Sequence, residues 1–251
     1  MHRKALVVGS LALSVLLALP ADAAEVRLNG ATTTIDRLVN PLRARVEQTT
    51  GHSLVVVGNA TGKGLVDLVS GRCDAALSSE PLDIAVLAAR AAGQAVDPAK
   101  LQFHVVSHDE IVFIVHPTNP VRRLSWEQLR DIHLGKIKNW REVGGNDQPI
   151  TVYTDHVTGG TRAMIKQLVL GGVDYGPACV PLAAVKKVAD MVAADPSGVG
   201  GLGKGFADPS KVRIVESKKL ERPLGFVTLG APSEQVRAVI EAFKAEKLAG
   251  R

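Results

Sequence analysis

The chain holds two cysteines, two tryptophans, two tyrosines and five phenylalanines among 251 residues. Cys73 and Cys179 stand 106 positions apart, which is no disulfide framework and no thiolate metal cluster. Charge of one sign is also scarce: 30 basic residues face 25 acidic ones, and no basic run is interleaved with aromatics. A nucleic-acid partner is therefore excluded. The G-x-S-x-G elbow of serine hydrolases is missing, and "GNATGKG" lacks the spacing of a nucleoside-triphosphate loop. His104 and His108 are four apart, but in a segment that reads as extended, so no metal and no cofactor are expected. An enzyme built on Asp155, His156 and Thr161 would need a positioned nucleophile or metal, and no motif supplies one. There is no internal repeat and no low-complexity segment.

What is present begins with an address. His2, Arg3 and Lys4 precede the apolar run "ALVVGSLALSVLLAL", and "ADA" at 21–23 fits a small-x-small cleavage site. The run is shorter than the ~20 residues of a spanning helix. Residues 1–23 are thus expected to be a cleaved signal peptide, and the product a soluble, exported protein. No cysteine follows the run, so lipid attachment there is excluded. Cleavage removes Arg3, Lys4 and Asp22, leaving 28 bases against 24 acids, a net charge of +4.

Beyond the leader, short apolar runs alternate with helical patterns. "EVRLNG", "SLVVVGN" and "CDAALSS" read as strands, each followed by a helix: about 35–48, 62–69, and "DIAVLAARAAG". "LQFHVVSHDEIVFIVHP" supplies two more extended segments. The pattern restarts at "LSWEQLRDIHLG", where Ser125 and Gln128 form a capping-box pair. "PITVYT", "VRIVES" and "PLGFVTLG" are further strands; "GGTRAMIKQLVL", "PLAAVKKVADMVAAD" and "SEQVRAVIEAFKAEKL" are helices, the last with Ser233 as cap. Alternation of this kind implies βαβ units and mainly parallel sheets. Two α/β lobes account for the length, with crossings near 113–118 and 220–224.

Three strand-to-helix turns share one composition: "NGATTTI" (29–35), "GNATGKG" (58–64) and "TGGTR" (158–162). Glycine permits close backbone approach, and a Thr hydroxyl either caps the helix or faces a ligand. Ligands of open α/β sheets bind at the carboxyl ends of strands, where these turns lie. A single such turn is explained by capping; three in one chain point to a shared site.

Longer segments carry a resemblance. "GATT", "GNATGKGLVDLVSGRCDAALSSEPL", "IVFIVHPTNPVRRLSWEQLRDIHLGKIKNW" and "ERPLGFVTLGAPSEQVRAVIEAFKA" resemble the phosphate-binding proteins of bacterial ABC importers, of the type 2 periplasmic binding protein fold. The resemblance implies an α/β protein of two lobes, each a mainly parallel sheet flanked by helices, with the ligand cleft between them. It places lobe 1 at 24–115 and 222–251 and lobe 2 at 116–221. It implies a monomeric, non-enzymatic periplasmic receptor holding a small oxyanion, phosphate first, for an ABC permease. A receptor of the same fold with a changed ligand, or a sensor without a transporter, is the alternative.

Residue by residue, the resemblance carries ligand contacts to Thr32, Thr33, Thr61, Ser79, Asp155, Gly160 and Thr161. Ser79 stands where the family has an aspartate that accepts the ligand's proton, and Asp155 stands near the family's arginine. An ionised Asp155 beside a dianion is unfavourable in a low-dielectric cleft. It is compatible with an oxyanion if it accepts a ligand proton, or if His156 or Arg162 neutralises it; otherwise the cleft suits a neutral or cationic solute. Because the resemblance puts Cys73 and Cys179 in different lobes, where a bond would oppose hinge closure, both are expected to be unpaired.

Overall fold

The computed structural model describes residues 23–249. All but the last residue of the expected signal peptide, 1–23, lies outside that span. Among the described residues no helix is long and apolar enough to cross a membrane. No group of three or more His, Cys, Asp or Glu is placed to hold a metal there either.

Eight strands form one sheet in the order β2-β1-β3-β8-β4-β7-β5-β6. They are β1 (Glu25–Gly30), β2 (Ser53–Gly58), β3 (Ala75–Ser78), β4 (Leu101–Val115), β5 (Thr151–Thr154), β6 (Val180–Pro181), β7 (Gly198–Gly203) and β8 (Arg213–Leu229). At one end β1 pairs in parallel with β2 and β3; at the other β5 pairs in parallel with β6 and β7. The helices between these strands are crossovers, as the alternating pattern requires. β4 and β8 are antiparallel to each other and run through the middle of the sheet, from Leu101 opposite Leu229 to Val115 opposite Arg213. Their ladder shifts register between Val105 and Ser107 and between Ile111 and Phe113.

The apolar core divides on either side of this long pair. Val26, Leu28, Leu38, Leu54 and Leu77 pack with Phe226, Val239 and Phe243 from the end of the chain. A second cluster joins Leu65, Ala85 and Ala89 to Leu101 and Val227. The other half is built from the middle of the chain: Phe113, Leu129, Trp140, Ile165 and Val199 in one cluster, Val112, Tyr153, Val188 and Leu202 in another. Cys73 belongs to the first half and Cys179 packs against the second, and both thiols are free.

Several boundaries differ from the expectations. The two extended segments of "LQFHVVSHDEIVFIVHP" are one strand, β4, and "VRIVES" and "PLGFVTLG" are the two ends of another, β8. Cys73 precedes its strand instead of opening it, since β3 starts at Ala75. The first helix starts earlier, as α1 (Thr32–Thr34), a π-helical turn (Ile35–Val39) and α2 (Asn40–Thr50) in succession. The helix expected over "PLAAVKKVADMVAAD" is α7 (Lys186–Ala194), because Val180–Pro181 pairs with β5 first.

β7 is absent from the sequence reading altogether. "GVGGLG" has four glycines in six residues, no apolar alternation and every residue buried. Its glycines exist for its neighbours: a Cβ on Gly201 would come within 2.5 Å of Ile165 Cδ1, and one on Gly200 would overlap Val188. The remaining helices are α3 (Thr61–Val69), α4 (Leu82–Ala91), α5 (Trp126–His133), α6 (Gly160–Leu168) and α8 (Glu234–Ala249). Ser125 and Gln128 make the reciprocal capping box at α5, and Ser233 Oγ accepts the Val236 N–H at 3.3 Å at α8.

Candidate functional site

The three Gly/Thr turns converge. Thr32 and Thr33 after β1, Gly58 to Thr61 after β2, and Ser79 after β3 form one side of a cavity of about 360 Å³. Asp155, His156, Gly159 and Gly160 after β5 form the opposite side, with Ala183 and Ala184. The two sides touch: the Gly62 N–H donates to the Thr158 carbonyl at 3.2 Å.

None of the hydroxyls caps its helix. The residue preceding α1 is Ala31, that preceding α3 is Ala60 and that preceding α6 is Gly159, and none makes a side-chain cap. Thr61 is the first helical residue, fully buried, with Oγ1 lacking any hydrogen-bond partner. Ala60 is held at φ +73, the one described non-glycine residue with positive φ. A conformation of that kind costs on the order of 1–3 kcal/mol and persists where the surroundings impose it.

Six of the seven expected contact residues line the cavity: Thr32, Thr33, Thr61, Ser79, Asp155 and Gly160. Thr161 does not. It is 1% exposed, and its Oγ1 accepts a hydrogen bond from Arg222 Nη1 at 2.7 Å.

Arg222 and Glu80 are the residues the sequence reading missed. Arg222 lies on β8, fully buried, and donates to Asp109 Oδ2 from Nε at 3.2 Å and from Nη2 at 2.8 Å. Gly203 of β7 leaves the room for this pair, which a side chain there would fill. Glu80, also 0% exposed, lies between Ser79, Thr61 and Gly160. Its Oε2 accepts from the Ser79 N–H at 3.1 Å and the Ser79 hydroxyl at 2.9 Å. Thr61 is near enough to favour the charged form of Glu80, yet neither Thr61 Oγ1 nor Glu80 Oε1 has a hydrogen bond of normal geometry.

The electrostatics follow from burial. Desolvation pushes the Glu80 carboxyl up to about 7, against the pull of Thr61, Ser79 and Arg222. Desolvation likewise pushes Asp155 up to about 6, opposed by the His156 N–H, which donates to Asp155 Oδ1 at 2.8 Å, and by Arg222. His156 is lowered, by burial first and then by Lys63 and Arg162. Its Nδ1 accepts the Thr158 N–H at 3.2 Å, so the neutral ring carries its proton on Nε2. Arg162 is committed elsewhere, over the Tyr175 ring at 4.1 Å and to Thr154 Oγ1 at 2.8 Å. Of the two expected neutralising partners of Asp155, His156 acts through its backbone N–H, and Arg162 acts less than Arg222. Lys63 supplies the fixed positive charge in the cavity wall.

A family model described as a PBP superfamily domain matches residues 20–245. The phosphate-binding protein PstS of Bacillus subtilis (strain 168) is 31% identical over 121 residues, 47% of this chain and 39% of that protein. The chain thus spans about two-fifths of the length of this curated relative. A putative phosphate ABC transporter substrate-binding protein of Clostridium perfringens, solved with bound phosphate, superposes with a TM-score of 0.77 at 20% identity. It covers 90% of this chain and 97% of that one. An ABC-type phosphate transport receptor of Vibrio cholerae gives 0.69 at 23% identity, covering 90% and 96%.

Proposed function

Because the chain belongs to the PBP superfamily, we propose that it is an exported solute-binding protein that closes over a small oxyanion, phosphate first, and delivers it to an ABC-type importer. The observation that carries this is the convergence of three uncapped helix starts on one cavity from both halves of the sheet. Unsatisfied N–H groups at a helix start attract anions, and the hydroxyls of Thr32, Thr33 and Thr61 add donors that no cap consumes. The Clostridium neighbour, of the same fold, was solved with phosphate.

In this reading the buried Arg222 takes the place of the arginine absent from the third turn: it does not touch the ligand but acts on Glu80 and Asp155 from behind the cavity wall and holds Thr161 there. Burial raises Asp155 to about 6, which brings it towards the range where it can share a proton with the ligand. The lobes are 24–115 with 222–251 and 116–221, the long β4–β8 pair serving as the hinge. The protein is a monomeric receptor, not an enzyme, and residues 1–23 are its leader.

Calorimetry on a refolded, ligand-free sample at neutral pH tests the reading directly. Phosphate should bind, and Thr32→Val should weaken it by about 1–3 kcal/mol, the cost of a lost hydrogen bond in a closed site. Asp155→Asn should weaken phosphate if the carboxyl shares a proton with the ligand. No binding of phosphate, sulfate or related oxyanions would end the oxyanion reading in favour of a receptor for another solute.

A further inference from the structure

The cavity has more room than a bare tetrahedral ion fills. A water takes about 30 Å³ of liquid, so an ion of five heavy atoms uses under half of the cavity's volume. At about 360 Å³ it is instead of the size that holds small organic molecules. The space does not come from parted walls. Residues 24–115 and 116–221 already touch around it. The Gly62 N–H donates to the Thr158 carbonyl at 3.2 Å, the Glu80 carboxyl lies against the α-carbon of Gly160, and the Arg37 guanidinium lies against that of Gly205.

The two ends of the cavity differ in chemistry. Thr33, Thr61, Ser79, Asp155 and Gly160 line it where the chain is buried, with the starts of α3 and α6 among them. At the mouth Lys63 and Ala183 are exposed, and His156 and Ala184 are half-buried. Lys63 forms no salt bridge with any described residue. Its charge is felt by the His156 ring on the opposite wall. That ring, neutral and with Nδ1 occupied by the Thr158 N–H, keeps an Nε2–H to donate. The mouth therefore offers one uncommitted cation and one N–H donor beside two alanine methyl groups.

We infer that the ligand is a short organic molecule with two acidic ends: a tetrahedral oxyanion held at the buried end and a carboxylate held by Lys63 and His156 at the mouth. The inference rests on the oxyanion reading above and adds to it the class of ligand. One ammonium and one N–H match the single charge of a carboxylate, whereas a second phosphate would bring more charge than the mouth offsets. Ala183 and Ala184 give the spacer an apolar wall. Asp155 belongs to the oxyanion end, where its Oδ1 accepts the backbone N–H of His156 at 2.8 Å, leaving the ring of that histidine for the mouth.

The test is calorimetry at neutral pH on the refolded, ligand-free protein with phosphate, methylphosphonate and phosphonoacetate, the last two differing by one carboxylate. Phosphonoacetate should bind about tenfold more tightly than methylphosphonate. Lys63→Met should collapse that ratio towards one, mainly by weakening phosphonoacetate, and Lys63→Arg should retain it. Both are surface substitutions, so folding is not at stake. Phosphate and methylphosphonate binding with no preference for phosphonoacetate overturns this inference and leaves the oxyanion reading intact. A preference that Lys63→Met does not move also overturns it, since the carboxylate then lies elsewhere. A protein that binds none of the three ions overturns both.

Discussion

Glu80 and Asp155 are carboxyl groups held out of water on either side of the Gly159–Gly160 turn, with the buried Arg222 acting on both. Each binds its proton more tightly folded than unfolded, so the stability each contributes is complete at low pH. For Glu80 it is full below about 4.5 and is lost as pH rises through about 7; for Asp155 the window runs from 3.8 to about 6. His133 works in the opposite sense. Burial lowers it from 6.5 to about 4, so its contribution is full above 6.5 and lost as pH falls through about 4. Glu80→Gln isolates the first effect: the ligand-free variant should be more stable than the wild type at pH 8 by about 1–3 kcal/mol. The difference should vanish near pH 5, read as melting temperature against pH. A gap that does not close on acidification would show that Glu80 is ionised in the folded protein throughout. Which residues were legible follows from distance along the chain. Thr32, Thr61 and Gly160 announce themselves through turn composition, which is local. Arg222 reaches Thr161 across 61 positions from a strand whose pattern says only that it is extended. Glu80 sits in the quoted "SSEPL" but reads as surface charge until its partners are known.

At the scale of the element, α6 is entered through two glycines, Gly159 before it and Gly160 at its start, because two carboxyl groups are packed there. A Cβ at Gly159 would overlap the Asp155 carboxyl, and one at Gly160 would overlap that of Glu80. Gly160→Ala should therefore destabilise by about 1–3 kcal/mol through overpacking. Adding Glu80→Ala should recover part of that loss, making the two substitutions non-additive in a denaturation cycle. Strict additivity would mean that the helix start tolerates the methyl group by moving elsewhere. The same dependence on neighbours explains the uneven legibility of the elements. β1, β2 and β5 carry enough apolar residues to be read, and α5 carries its capping box in the sequence. β7 supplies the floor on which Ile165 and Val188 rest, and a floor of glycines leaves no periodicity to find. The length of β4 and β8 is hidden for a related reason. The charged stretch "SHDE" looks like a loop, yet Ser107 to Glu110 stay on the ladder opposite Leu224 to Glu221, whereas 216–219 fall in the interruption between Val215 and Leu220.

At the scale of the whole molecule, the long pairing of β4 with β8 has a kinetic consequence. One set of clusters needs both ends of the chain: Leu28 and Leu77 near the start cannot be covered until Phe226 and Phe243 are present. The other set is drawn almost wholly from 111–220, where contacts are closer in sequence. Closing a long loop carries an entropic cost before its contacts form, so the middle of the chain should gain protection first. In pulse-labelled hydrogen exchange during refolding, amides of α5, α6 and β5 should be protected ahead of those of β1 and β3. Protection of β1 and β3 at the same rate would indicate a single concerted step. A chain ordered this way stays half unfinished until its last thirty or so residues arrive, which leaves the open end of its sheet exposed to chaperones and proteases for as long as synthesis takes.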